Sequence, residues 1–110
     1  MYDLARRTDT ILSTTVAAGA VTGGAFYPMR TPITFQAYQV GTGAQTSTIL
    51  IEATSLPGVA ASWVTVGTIS LSGTTTAVDA FSTTAGFTTF RARVTAIVGT
   101  SAVLTVQMSV

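Results

Sequence analysis

The sequence predicts an all-β chain: an antiparallel β-sandwich, jelly-roll-like or immunoglobulin-like, with an N-terminal arm. Three observations carry that expectation. Threonine makes up about a fifth of the 110 residues and valine is frequent, while charged residues are only 8%; β-branched side chains suit a pleated, half-buried surface. Apolar residues alternate with polar ones in short runs, broken by Gly- or Pro-containing stretches at roughly the 8–12-residue spacing of a sandwich or barrel. No segment shows a sustained apolar stripe at helical spacing.

The elements follow in order. Residues 1–32 read as an N-terminal arm with a first strand and loop, and residues 33–110 as the body of a single domain. ILSTTVA is a candidate strand within the first part. Gly19, Gly23, Gly24, Pro28 and Pro32 mark the remainder as loop. An ordinary first strand of the same body is the alternative to an arm. Arg6-Arg7 before ILSTTVAAGAV faintly suggests a secretion signal, but Asp9, Ser13, Thr14 and Thr15 interrupt the apolar stretch, and no cleaved signal is expected.

ITFQAYQV (33–40) alternates as a strand, GTGAQTS reads as a turn, and TILIEAT (48–54) is a nearly continuous apolar run. After the SLPGVAAS loop, SWVTVGTISL (62–71) changes phase: Val64 and Val66 are even, Ile69 and Leu71 odd. One extra residue near Gly67, a β-bulge, would produce that slip. Trp63 is expected to lie at least partly in the core. SGTTTA is read as a turn, VDAF as a short strand and STTAG as a loop. In TTFRARVTAIVGTSAVLTVQMSV, Phe90, Ala92, Val94, Ala96 and Val98 share one face, and Ala102, Leu104, Val106, Met108 and Val110 another. A hairpin closed by Gly99-Thr100-Ser101 would pair the two apolar sets member for member.

That register places Arg91 and Arg93 on the face away from the core, either solvated with their stems over neighbours or turned to a carboxylate on a partner. Glu52, in the most apolar strand, is either solvated on a wet face or paired with Arg91 or Arg93.

Chemistry is sparse. The chain has five arginines and no lysine, four acids, and no histidine, cysteine or asparagine. General acid–base catalysis, nucleophile–base triads, zinc sites and calcium loops all draw on residues that are missing or scattered. GTGAQTS lacks the third glycine, the lysine and the following helix of a phosphate-binding loop. No enzyme activity, cofactor or metal is therefore expected. A net charge of +1 gives no basis for nucleic-acid or membrane-surface binding. Tyr2, Tyr27 and Tyr38 could stack on sugars or sit at subunit contacts. A threonine-covered surface with so few charges is poorly defended against association and suits a protein packed against neighbours.

ILIEATSLPGVAASWVTVGTISL, and then FRARVTAIVGTSAVLTVQMSV, resemble the small β-sandwich structural proteins of tailed bacteriophages, most of all capsid decoration (cement or staple) proteins. The residues that carry the resemblance are Trp63, Val64, Val66, Gly67, Ile69 and Leu71, then Arg91, Arg93, Val94, Thr95, Gly99 and Thr100; it spans about residues 33–110. Leu56-Pro57-Gly58-Val59 departs from the polar Ser-Asn-Asp-Gly-like loop of such proteins, and a more apolar loop favours a protein contact over a sugar. The resemblance implies a virion component on the outer capsid surface, made in the host cytoplasm. Its expected partners are the major capsid protein and further copies of itself, as a dimer or trimer, with no nucleic acid or membrane. Tyr2, Leu4, Arg6 and Arg7 of the arm, the Phe26, Tyr27, Met29 and Arg30 segment, and the Arg91/Arg93 face are the interface candidates. The alternative is a tail- or fibre-associated sandwich that adheres to glycans.

Overall fold

The structure is a computed structural model, and it describes residues 8–15, 21–24, 26–28 and 31–110. Among these the chain is all-β, without an α-helix. Five strands make one antiparallel sheet: β1 (Thr8–Thr14), β2 (Val21–Thr22), β3 (Ile33–Thr54), β4 (Val64–Thr83) and β5 (Thr89–Ser109). The order is β1-β5-β3-β4, with β2 also pairing with β5. The first four residues of ILSTTVA accordingly lie in β1 at the sheet edge; β1 and β2 both pair with β5, and Phe26 bridges to Phe90 of the same strand.

The three long strands revise the reading of the turns. GTGAQTS, SGTTTA and Gly99-Thr100-Ser101 do not reverse the chain; they lie within β3, β4 and β5, side by side. The register shifts there, between Val40 and Ala44 against β4 and between Val40 and Thr46 against β5. Each strand carries a left-handed residue at this line: Gly43 at φ 75°, Thr75 at 61° and Ser101 at 53°. Extra residues with such φ values bend a strand sharply, so the whole sheet creases and its halves face each other as two leaves. The first leaf holds residues 33–40, 76–83, 102–109 and β1; the second holds 46–54, 64–72, 89–98 and β2.

The terminal hairpin is thereby corrected to a single bent strand. Ala102, Leu104, Val106, Met108 and Val110 do share the buried face with Phe90, Ala92 and Val94, but Leu104, Val106 and Met108, like Phe90, Ala92 and Val94, pair with β3 rather than with one another. Ala96 and Val98, expected inside, are exposed, and Ile97 is buried. A bulge at Thr95, where Ile49 faces Val94 and Thr48 faces Ala96, reverses the faces from that point. The expected bulge near Gly67 is present: Ile51 faces Gly67 and Glu52 faces Thr65, leaving Val66 extra.

The core lies between the leaves. Phe35 of the first leaf and Phe90 of the second have ring centroids 6.0 Å apart, and Phe26 packs on both at 5.7 and 5.9 Å. A Cβ on Gly67, second leaf, would collide with the Phe81 ring of the first, so the leaves approach closely where a side chain is missing. Bending frees backbone carbonyls from the ladder, and buried ones need donors. Gln39 and Gln45, both fully buried at the crease, supply them. Gln39 Nε2 donates to Val98 O and to Gln45 Oε1 (both 2.9 Å), while Gln45 Nε2 donates to Thr42 O at 3.1 Å.

Candidate functional site

Even-numbered residues of the second half of β3 point away from the core. At the end of that strand this outward face holds Glu52. Cross-strand register sets Glu52 opposite Arg91 and Leu50 opposite Arg93, so both arginines stand on the same face as the carboxylate, one directly across and one diagonal. Arg91 Nε–H donates to Oε1 at 2.9 Å and Arg93 Nε–H to Oε2 at 3.1 Å. The Arg91 guanidinium also lies over the Trp63 ring, 4.0 Å from its centroid, in cation–π geometry. Glu52 is therefore only 5% exposed although it faces outward. Of the two readings of Glu52 the structure selects pairing, and with both arginines at once; the carboxylate they face belongs to their own chain.

Trp63 is half-buried and does not join the cluster of core residues, contrary to expectation. It follows a 3₁₀ turn (Ala60–Ser62) and covers Arg91 on the outer face. The bulge at Val66 lies beside it, and bulges commonly re-aim side chains in this way. The loop before Trp63 is tied down by two hydroxyls: Thr54 Oγ1 accepts the Leu56 N–H at 2.9 Å, and Ser62 Oγ sits 2.8 Å from Leu56 O and 2.7 Å from Val59 O. Leu56 and Val59 nevertheless project into solvent, 60% and 51% exposed.

Of the remaining interface candidates, Phe26 turns inward against Phe35 and Phe90, and Tyr27 is exposed. Tyr2, Leu4, Arg6, Arg7, Met29 and Arg30 lie outside the described residues. Tyr38 is half-buried on the outer face of the first leaf, opposite Val78 and Thr105. The cluster of Glu52, Arg91, Arg93 and Trp63 offers oriented hydrogen-bond donors and an aromatic face. Its carboxylate is engaged by two guanidinium groups, and among the described residues no group of three acidic side chains is placed to hold a metal.

The same fold recurs in a solved structure. The crystal structure of the PBSX exported protein XepA matches this chain with a TM-score of 0.63 at 12% identity. The match covers 94% of this chain but only 36% of XepA, so the chain spans about a third of that protein's length. No protein-family model matches the chain, and no curated protein matches it in sequence. The likeness to XepA is one of fold. Two very different sequences thus reach the same fold.

The single tryptophan makes the cluster separately observable. Removing Glu52 leaves two guanidinium groups without their carboxylate on a face that is only partly wet. Glu52→Ala is expected to lower stability by about 1–2 kcal/mol, since the half-exposed arginines recover some solvation. A double-mutant cycle with Arg91→Ala, read by urea unfolding, should show coupling of about 0.5–1 kcal/mol or more, and Trp63 emission should change in both single variants. Additive losses with unchanged emission would mean the ion pair is idle in solution.

Proposed function

We propose that this chain is a non-enzymatic structural component of a tailed-phage particle. In this reading it is a decoration protein that binds the outer capsid surface and stabilises contacts between neighbouring major capsid subunits, itself assembled as a dimer or trimer. The observation that carries the reading is the outer face of the second leaf. Its only described cations are each bonded to Glu52, and an apolar loop tied by the Thr54 and Ser62 hydroxyls stands beside them, a combination suited to contact with another protein. The fold shared with XepA, a PBSX exported protein, supports it, as does a sheet bent so that its two halves enclose the core. A ligand that binds only the assembled lattice favours that lattice by mass action, so many modest contacts suffice.

Co-sedimentation with expanded capsids lacking the protein tests this directly. Saturable binding at a fixed ratio to the capsid subunit is expected. A half-exposed tryptophan is also what a glycan-stacking site uses, and it favours the alternative of a tail- or fibre-associated adhesin. Failure to pellet with capsids, together with retention on host envelope polysaccharide, would replace the first reading with the second.

A further inference from the structure

We propose that the end of the second leaf, formed by Leu56, Val59, Trp63, Arg91 and Arg93, is the docking surface, and that its complement is a carboxylate beside a shallow apolar pocket on the partner protein. This rests on the decoration reading above. Three observations lead to it.

The first is the loop. Leu56, Val59 and Val64 are 60%, 51% and 46% exposed within one short stretch of chain, and Ser55 to Ala61 are exposed throughout. Exposed loops of this composition are ordinarily mobile, yet this one is closed by the Thr54 and Ser62 hydroxyls. An apolar tip already fixed in shape loses little conformational freedom on binding, which makes it an anchor.

The second is the geometry of the arginines. Glu52 takes only the Nε–H of each. Among the described residues the terminal guanidinium nitrogens make no hydrogen bond, while Glu52 orients both guanidinium groups and the Trp63 ring also covers that of Arg91. A guanidinium presented in this way matches an incoming carboxylate as a two-pronged donor.

The third is charge. Two arginines and one glutamate leave the cluster at +1, which suits a single carboxylate. A nucleic acid or an anionic bilayer gains its affinity from many cations acting together, so a protein surface is the partner the balance favours. Tryptophan, arginine and an apolar anchor in one patch are also the side chains on which protein interfaces concentrate their energy.

The test uses the full chain and expanded capsids lacking it, with co-sedimentation titrations of wild type, Leu56→Asp, Val59→Asp, Arg93→Ala and Arg93→Lys. Val78→Asp on the first leaf, where Val78 is 56% exposed, serves as the control, and urea midpoints establish that each variant is folded. Leu56→Asp, Val59→Asp and Arg93→Ala should each weaken binding about tenfold or more, the order expected for central interface residues. Arg93→Lys should recover little, because charge remains but the fork is lost, and Val78→Asp should bind as wild type. If wild type pellets and the Leu56, Val59 and Arg93 variants match it, or if Val78→Asp alone is impaired, the surface is misplaced while the decoration reading stands. If wild type does not pellet at all, both readings fall together.

Discussion

Phe90→Ala should lower the unfolding free energy by about 3–5 kcal/mol, the loss typical of deleting a fully buried aromatic ring. Phe90 is fully buried and touches Phe26, Phe35 and Phe87, ring to ring. Phe35 belongs to the opposite leaf, so the cavity would open at the contact between leaves. A urea titration of the two proteins gives the value. Val98→Ala, at an exposed position of the same strand, should move the midpoint very little. Were Phe90→Ala to cost under about 1 kcal/mol, far below the range for such truncations, the leaves would not be packed through this residue and the sheet would be open in solution.

Gly99→Ala is expected to cost about 2–3 kcal/mol, from overpacking joined to a disturbed buried hydrogen bond. The new Cβ would lie 2.3 Å from Gln45 Oε1. That oxygen is not a free side-chain end: it accepts from Gln39 at 2.9 Å, and Gln45 is fully buried. Relief would require breaking the amide network that serves the creased backbone. The diagnostic is coupling. In a Gln45→Ala background the obstruction is gone and only the positive φ of Gly99, 156°, still opposes a side chain, so Gly99→Ala should cost less there than in the wild-type chain. Equal costs in the two backgrounds would show that the glycine serves some other purpose, and that the crease does not depend on the packing of these glutamines.

Much of this was open to reading along the chain. Period-two alternation marked the strands and their inward faces, as with Ile33, Phe35 and Ala37 or with Ala102, Leu104 and Val106. The phase change around Gly67 announced its bulge, because one extra residue exchanges the two faces of everything beyond it. The matching change at Thr95 was hidden: alanine and valine at 96 and 98 look as apolar as the isoleucine at 97. Gln39 and Gln45 gave little signal, since a glutamine on an apolar face explains itself only once the carbonyls it must satisfy are known. Trp63 has the bulk of a core residue, yet it went to the outer face because an arginine was there to be covered.

The chain by itself determines the runs that alternate with period two, the inward face of each run up to its next bulge, and that Arg91 and Arg93 stay out of the core, because these follow from local sterics and alternation. Whether a glycine-containing break reverses a strand or only bends it is not a local property. A hairpin at Gly99 and a crease at Gly99 bury the same far half of the strand, and they differ only in the neighbour that pairs with it. The tertiary structure decides this by offering β3, a 22-residue strand, as partner to both halves of β5. The same long-range pairing carries Arg91 across 39 residues of chain to Glu52, turning isolated charges into one fixed cluster.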